Sequence, residues 1–262
     1  MQWKAFHLVS QHESVVTTYS SPQSIEARSE LFQRLRTYAA TPEETERSLG
    51  LFIRGSLLAR FLAVAEIYKR IVPLPGIVMD IGTWRGQTAV LCENFRAIFE
   101  PLHFNRRIVC FDTFEGYKGF SQVDRPTELH KDGTYQVGGE QYADYLNSLL
   151  MLHEKNNAMG HNNGKHRVVA GDCRTTIPAF FEENPGEFVS LAFFDLNSFQ
   201  PTAEAFKMVH GRLVPGGIVA FWQLTRDNIP AEGMVYVNEI LDRYDHRIER
   251  SAYYPGLCFL TK

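Results

Sequence analysis

The segment from Ile77 to Gly86, Ile-Val-Met-Asp-Ile-Gly-Thr-Trp-Arg-Gly, constrains the fold more than any other part of the chain. An apolar run meets an acid, Asp80, and two glycines follow with three residues between them. Gly82 allows a tight turn and lets a ligand approach bare backbone. The segment therefore predicts a strand, a tight turn and a helix, with a ligand at the turn.

Strands and helices alternate after this point, which predicts an α/β fold with a parallel sheet covered by helices on both faces. Apolar runs predict strands near residues 77–80, 107–111, 166–170, 188–194 and 217–222. Periodic patterns predict helices near residues 87–99, 140–159, 175–183, 201–211 and 231–243. The tail predicts two strands, at 246–252 and 256–260, and therefore an antiparallel pair at the end of the chain.

The first 75 residues predict a helical N-terminal extension, and residues 76–262 predict the sheet domain. Residues 1–25 are polar and predict a loose arm or a pairing segment. Helices are expected over residues 24–38, from Thr41-Pro42 onward, and over residues 55–71.

Composition and charge exclude several classes of function. A net charge of −3 gives no reason to expect nucleic acid or an acidic membrane as partner. The four cysteines lack metal-ligand spacing, and we expect free thiols in a reducing compartment. The N-terminal residues lack an apolar signal-peptide core, and Arg60 and Glu66 interrupt the best apolar helix. We therefore expect a cytoplasmic protein with a small-molecule substrate, and a homodimer as its oligomeric state.

A second acid follows the second predicted strand. The apolar run from Arg107 to Phe111 ends directly before Asp112. An acid at this place in nucleotide-binding sheets accepts hydrogen bonds from ribose hydroxyls. The gap from Asp80 is longer than the usual spacing of roughly 20 residues. The predicted helix at 87–99 and the loop after it account for the excess.

Several of these motifs resemble those of S-adenosylmethionine-dependent methyltransferases. The pattern Asp-x-Gly-x-x-x-Gly at Asp80–Gly86 resembles the first motif of those enzymes. The hexapeptide Asp112–Tyr117 resembles the macrocin O-methyltransferase family, enzymes that methylate sugar hydroxyls on natural products. Further matches, over roughly residues 50–225, are Trp84-Arg85-Gly86, Phe194-Asp195, Pro201-Thr202 and Leu213–Gly217. The resemblance implies the Rossmann-like, seven-stranded methyltransferase sheet with an antiparallel last strand.

The resemblance also implies S-adenosylmethionine as the cofactor, bound beyond the carboxyl ends of the strands. The turn at residues 82–86 would then lie beside the methionine moiety. Gln87 and Thr88 would donate hydrogen bonds from the helix N-terminus to its carboxylate. Asp80, at the end of the first strand, would accept from an amine or a hydroxyl.

The adenosine moiety would lie along the next two strand ends. Asp112 would bind the ribose, and Thr113 and Phe114 would pack near the adenine. Asp172 would accept from the adenine amino group beside the amide of Cys173, although capping of the following helix is an equal alternative for Asp172. The complete predicted cofactor set is Asp80, Gly82, Thr83, Arg85, Gly86, Gln87, Thr88, Asp112, Thr113, Phe114, Gly171, Asp172, Cys173 and Asp195.

The positions that hold a metal in the resembled family are changed here. That family carries Asp-x-Asp after the fourth strand and a pair of acids after the fifth. This chain has Asp195-Leu196-Asn197 and Trp222-Gln223, so one acid of the four is present. Magnesium prefers oxygen ligands that include carboxylates. With a single carboxylate, we predict no metal ligands and a metal-independent reaction.

A hydroxyl acceptor that is not acidified by a metal needs a general base. Asp195 is the first candidate, and His130, in the insertion after the second strand, is the second. Asp195 could instead bind the cofactor's amino group, and His130 could be a solvated loop histidine. The predicted catalytic set is Asp195, Asn197, Gln223 and His130.

The insertion at residues 118–139 is the longest predicted loop, and it contains Phe120, Tyr135 and four glycines. Loops longer than about 15 residues are uncommon in compact domains unless they are functional or disordered. We therefore predict a lid that closes over the substrate and excludes water, with a plain surface loop as the alternative.

These observations predict methyl transfer from S-adenosylmethionine to a small molecule, at a hydroxyl of a sugar or secondary metabolite. A methyltransferase directed at nitrogen or at a carboxylate is one alternative. A catalytically silent cofactor-binding homologue, acting as a regulator or as a subunit of an assembly, is the other.

Overall fold

The computed structural model describes residues 21–127, 130–157, 163–225 and 229–262. The described helices are α1 (Pro22–Thr37), α2 (Pro42–Ser48), α3 (Gly55–Ile71), α4 (Gln87–Phe99), α5 (Gly139–Asn157), α6 (Cys173–Glu183), α7 (Phe199–Arg212) and α8 (Ala231–Val235). The strands are β1 (Ile77–Ile81), β2 (Ile108–Asp112), β3 (Arg167–Ala170), β4 (Val189–Phe194), β5 (Leu213–Phe221), β6 (Arg247–Arg250) and β7 (Cys258–Thr261). The predicted arm at residues 1–20 and the predicted helix end near 159 lie outside the described residues.

The described strands form one seven-stranded sheet in the order β3-β2-β1-β4-β5-β7-β6. Strands β1 to β5 are parallel, and β7 runs antiparallel to both of its neighbours. The predicted fold class, a Rossmann-like methyltransferase sheet, is confirmed. The strand order reverses between β1 and β4, and ligands bind at this switch point in open α/β sheets.

Alternate residues of the central strands enter two separate cores, because side chains along a strand point to opposite faces. In β1, Val78 packs into the core that includes α4 and α5, whereas Met79 packs into the core that includes α6 and α7. In β4, Phe193 and Phe194 divide in the same way. The two cores fix the central strands, and hence the positions of their carboxyl ends.

The described residues divide into two compact units, with the boundary between Arg60 and Phe61, within α3. In the first unit, Thr41 and Glu44 form a capping box at the start of α2. No single described helix is long and apolar enough to cross a membrane; Pro42–Phe52 and Gly55–Ile71 pass the length and composition test only as a pair, bent by 94°.

Two predicted elements differ from the structure. Strand β5 begins at Leu213, because Leu213 pairs with Val189 and the strand continues through Gly216, whose φ is +78° and whose N–H bonds to the carbonyl of Lys262 at 2.8 Å. The predicted last helix is shorter, since α8 passes into a π-helical turn at Tyr236–Ile240. Local sequence shows the turn-forming residues but not the partner strand that draws them into the sheet.

Candidate active site

The turn between β1 and α4 brings the backbone close to the end of β4. Gly82 and Gly86 both have φ near +82°, the left-handed region that favours glycine. A Cβ atom on Gly82 would lie 2.6 Å from the backbone oxygen of Asp195, and one on Gly86 would lie 2.2 Å from Leu146. Both positions therefore require glycine, and at these two positions the turn presents bare backbone.

Asp112 links this turn to the one after β2. Its Oδ2 accepts a hydrogen bond from the Trp84 backbone N–H at 2.6 Å, and its Oδ1 accepts one from the Phe114 N–H at 2.7 Å. Burial raises the pKa of Asp112, and these two hydrogen bonds offset part of that effect. Each carboxylate oxygen has a second lone pair. Asp112 can therefore accept from ribose hydroxyls while it holds both turns.

Strained backbone is concentrated at this edge of the sheet. Five non-glycine residues have left-handed φ values of +50° to +67° in the segments after β1, β2 and β4: Trp84, Phe114, Arg125, Tyr135 and Asn197. Such conformations cost about 1–3 kcal/mol each and occur mainly where function requires them. This distribution supports a functional site at the carboxyl ends of the strands.

In the turn after β2, the Phe114 ring is 1% exposed and packs against Tyr142 at 5.8 Å. The Thr113 hydroxyl donates to the carbonyl of Gly116 at 2.7 Å and closes the turn. Packing of Thr113 and Phe114 near the adenine stays a prediction.

Asp172 caps helix α6. Its Oδ1 accepts from the Arg174 backbone N–H at 2.9 Å, and the Arg174 guanidinium bonds to both carboxylate oxygens. Hydrogen bonds from Arg174 lower the pKa of Asp172. The capping role is confirmed, and adenine binding by the same residue stays a prediction. Burial raises the pKa of the neighbouring Cys173 to about 12, so this thiol is protonated at neutral pH.

Three of the four predicted catalytic residues lie together at the ends of β4 and β5. Oδ1 of Asp195 accepts a hydrogen bond from the Asn197 amide at 3.2 Å and another from the Gln223 amide at 3.4 Å. Asn197 is 4% exposed and Gln223 is 7% exposed. The two buried amides therefore orient the carboxylate of Asp195, which is half-buried.

Tyr117, which the sequence analysis did not assign to the site, joins this group from the insertion. Its hydroxyl accepts a hydrogen bond from the Asn197 amide at 2.8 Å. Its ring packs against Phe120 at 5.3 Å and Tyr135 at 5.2 Å. Burial and the charge of Asp195 raise the pKa of Tyr117 well above its ordinary value. Its place at the end of the hexapeptide quoted above was the available sequence signal.

Glu232, in helix α8, is another residue that the sequence analysis did not assign to the site. It is 0% exposed, and its Oε2 accepts from the Gln223 backbone N–H at 2.6 Å. Burial and the nearby charge of Asp195 raise the pKa of Glu232 well above its ordinary value. The sequence signal was a single acid within the apolar stretch Ile229–Val235.

His130 lies in a different part of the insertion. It forms an isolated bridge with Thr127 and is 7% exposed, so it is not a solvated loop residue. Its ring lies 6.4 Å from that of Tyr135, which in turn contacts Tyr117. His130 thus lies near the aromatic residues that lead to Asn197, and its catalytic role stays a prediction.

The described part of the insertion is anchored to the domain. Asp124 is 3% exposed, and its carboxylate accepts from the Ser121 N–H at 2.7 Å and from the Phe199 N–H, at the start of α7, at 2.6 Å. Gly116 is also constrained, because a Cβ there would lie 2.4 Å from the carbonyl oxygen of Thr134. These contacts attach the segment to the rest of the domain. Its movement as a lid stays a prediction.

The side chains at Asp195 offer a divalent cation a single carboxylate, and the amide oxygens of Asn197 and Gln223 have no hydrogen-bond partner among the described residues. Asn197 and Gln223 direct their NH₂ groups, rather than their amide oxygens, at the carboxylate. Among the described residues, no group of three or more His, Cys, Asp or Glu side chains could hold a metal ion. A cation shared by these three residues would need both amides to turn, because magnesium binds oxygen.

The turn between β1 and α4 does fit the predicted cofactor. Gly82 and Gly86 leave no room for a Cβ, and the N-cap position of α4 is Gly86, which has no side chain to cap the helix. The first-turn N–H groups of a helix bind carboxylates and phosphates well. With Asp112 beyond them, these groups match the two ends of an amino-acid-bearing nucleoside.

The chain is similar in overall structure to known methyltransferases. The chain is similar to CalS11, described as a calicheamicin methyltransferase, with a TM-score of 0.85 and 30% identity over 93% of this chain and 94% of that one. A second structure, described as apo CalS11, a TDP-rhamnose 3′-O-methyltransferase of calicheamicin biosynthesis, gives 0.79 and 28% over 93% and 96%. The O-methyltransferase NovP, at 0.57 and 13% identity over 78% of this chain and 79% of that one, shares the fold. Neither the family models nor the curated proteins gave a match.

Proposed function

Because the chain belongs to the S-adenosylmethionine-dependent O-methyltransferases, we propose that it methylates a sugar hydroxyl without a divalent metal. The single observation that carries the proposal is Asp195, held at the end of β4 by the amides of Asn197 and Gln223. Membership of the narrower macrocin O-methyltransferase family stays a prediction.

The sugar acceptor is supported by similarity over nearly the full length of both chains. CalS11 is described as acting on TDP-rhamnose at the 3′ hydroxyl, and it matches 93% of this chain at 28–30% identity. We therefore take a nucleotide-linked sugar as the first acceptor class to test. The exposed ring of Trp84, with the guanidinium of Arg85 at 4.7 Å from its centre, lies on the turn beside the site and suits such a ligand.

The residues that would hold S-adenosylmethionine are the turn at Gly82–Gly86, the N-terminus of α4, and Asp112. When bound, S-adenosylmethionine supplies a methyl group on a sulfonium, and its carbon–sulfur bond breaks with the electron pair passing to sulfur as the acceptor oxygen forms a new bond to the methyl carbon. The protein's own contribution on this side is to fix position, which accounts for a large part of such rate enhancements.

Asp195 is the proposed general base. The acceptor hydroxyl must lose its proton as its oxygen attacks, and a fixed carboxylate can take that proton at an oxygen of Asp195. The amides of Asn197 and Gln223 lock the carboxylate in one orientation, and Tyr117 in turn holds Asn197. A base that is already oriented loses little entropy when the acceptor binds.

Metal independence is supported by the donor chemistry at Asp195. Amide NH₂ groups that point at the carboxylate stabilise its negative charge, which is the part a cation would otherwise play. Activity is expected to survive treatment with EDTA.

The test is methylation of a panel of free and nucleotide-linked sugars by purified protein, assayed by mass spectrometry with and without EDTA. A methylated sugar hydroxyl, formed equally in both conditions, is the expected result. Methylation only of amines or carboxylates would overturn the acceptor class. Loss of activity in EDTA with recovery in Mg²⁺ would overturn metal independence, and no turnover despite cofactor binding would favour a silent binder.

A further inference from the structure

Glu232 has an environment that its helix does not explain. It is the second residue of the short helix α8, it is 0% exposed, and no described basic residue forms a salt bridge with it. Two other glutamates that are as deeply buried are paired with cations: Glu93 contacts Arg96 at 2.7 Å, and Glu154 contacts Lys165 at 2.6 Å. A buried, unpaired carboxyl costs stability unless it has another use.

The contacts of Glu232 connect it to the proposed base through one residue. Its Oε2 accepts from the backbone N–H of Gln223 at 2.6 Å, and the side-chain amide of Gln223 donates to Oδ1 of Asp195 at 3.4 Å. Its Oε1 has no hydrogen-bond partner among the described residues. Glu232 therefore fixes the backbone from which the Gln223 side chain reaches Asp195.

The charges around Glu232 favour its neutral form. The charge of Asp195 raises the pKa of Glu232, and the charge of Glu232 would in turn raise the pKa values of Tyr117 and of Cys258 on β7. None of these groups is a cation, and burial and the Asp195 charge both raise the Glu232 pKa. Two nearby carboxyl groups in a dry environment hold one negative charge more easily than two.

We propose that Glu232 is a positioning residue, which acts as a neutral carboxylic acid to hold Gln223 and, through it, the carboxylate of Asp195. The inference rests on the proposed role of Asp195 as base. A glutamine would offer the Gln223 N–H the same acceptor oxygen without a proton that can be lost. An alanine would leave that N–H buried and without an acceptor. These two substitutions separate the proposed role from simple filling of space and from a role for negative charge.

The experiment compares Glu232→Gln, Glu232→Ala and the matched control Glu154→Gln, which removes a buried but salt-bridged acid away from the site. Glu232→Gln is expected to keep kcat and its pH profile close to those of the unmodified protein. Glu232→Ala is expected to lower kcat by roughly 10- to 100-fold, because a buried N–H loses its acceptor. Its affinity for S-adenosylhomocysteine is expected to change only a few-fold. Glu154→Gln is expected to reduce stability with kcat unchanged.

Two measurements need no turnover and apply to the protein without acceptor. Infrared spectra should contain the C=O stretch of a protonated carboxyl that disappears in Glu232→Gln. Hydrogen exchange of the Gln223 amide should be faster in Glu232→Ala than in Glu232→Gln.

The outcomes separate this inference from the proposed function. Absence of the infrared band, together with equal losses of kcat in Glu232→Gln and Glu232→Ala, would show an ionised Glu232 and overturn the proposal. Unchanged kcat and unchanged amide exchange in Glu232→Ala would overturn the positioning role while leaving sugar methylation intact. If no sugar is methylated, the infrared band and the exchange rates still decide whether Glu232 is neutral and holds Gln223.

Discussion

At the amino end of the sheet the guanidinium of Arg106 makes five hydrogen bonds, whereas at the carboxyl end buried polar atoms lack partners. The five acceptors are two oxygens of Glu100, the carbonyls of Gly76 and Ile71, and the hydroxyl of Ser190. At the other end, among the described residues, no partner is found for Asn197 Oδ1, Gln223 Oε1 or Glu232 Oε1.

A second buried acid at the amino end, Glu93, also has hydrogen-bond partners. Glu93 is 0% exposed and receives hydrogen bonds from Arg96 at 2.7 Å and 2.8 Å, and it contacts Nε2 of His166 at 2.8 Å. Nδ1 of His166 accepts from the Ile108 N–H at 3.0 Å, so His166 joins the start of β3 to the start of β2. In these two clusters each buried acid has a cation as partner: Glu93 has Arg96, and Glu100 has Arg106.

The difference shows which end is built for stability and which for a ligand. A fully satisfied buried network rigidifies a fold, and an incompletely satisfied one costs free energy. Native proteins retain few buried polar groups without partners, and these need an explanation. A bound substrate that supplies hydroxyl groups is the explanation we propose for the carboxyl end. Substitutions at the carboxyl end should then lower activity, and substitutions at the amino end should lower stability.

The largest expected effect is on turnover at the carboxyl end. Asp195→Asn should lower kcat by roughly 10²- to 10⁴-fold, because the acceptor hydroxyl loses its general base. Affinity for S-adenosylhomocysteine, measured by calorimetry, should stay within a few-fold, and the melting temperature should change little. Asp144→Asn, at an exposed position on α5, is the matched control. A parallel fall in affinity and turnover would mean that Asp195 holds the cofactor instead.

The next effect is on stability at the amino end. Arg106→Ala should lower the free energy of unfolding by about 3–5 kcal/mol, because Glu100 is left buried without its partner. Urea denaturation measures this change. Arg243→Ala removes a surface pair with Glu239 and should cost about 0–1 kcal/mol. Equal costs at the two positions would remove the basis for calling the amino end the stabilising one.

The stability of the amino end should also depend on pH. Burial alone would raise the pKa of Glu93, but hydrogen bonds from Arg96 and His166 outweigh burial and lower it from 4.5 to about 2. A depressed folded-state pKa contributes stability above the unfolded value, and this contribution is lost as pH falls through the folded value. The difference in unfolding free energy between the unmodified protein and Glu93→Gln should therefore shrink from pH 4.5 towards pH 2. The exposed Glu183→Gln should show no such trend; a constant difference for Glu93→Gln would contradict the assignment.

The smallest of these effects concerns cofactor affinity at the carboxyl end. Asp112→Asn should weaken S-adenosylhomocysteine binding by about tenfold or more, because the ribose hydroxyls lose a charged acceptor. Titration calorimetry measures the change, with Asp144→Asn again as control. Unchanged affinity would mean that Asp112 serves only to hold the Trp84 and Phe114 backbones.

The local parts of the site could be predicted from sequence. Gly82 and Gly86 predict the turn that they form, because a positive φ and a close approach of backbone both favour glycine. Asp112 and Asp195 follow apolar strands directly, and parallel strands end at a common edge. The position of the Phe114 ring was not predictable, because its left-handed backbone turns the side chain into the core.

The sequence by itself determined the alternation of strands and helices, the cofactor turn and the place of Asp195, since these depend on periodicity and on residues that are neighbours in the chain. Only the tertiary structure decided which other groups surround Asp195. Tyr117 comes from the insertion after β2, and Glu232 comes from the helix after β5. Tyr117 contacts Asn197, and Glu232 contacts Gln223, only because segments distant in the sequence pack together. A local sequence pattern does not show which distant segments will pack against each other.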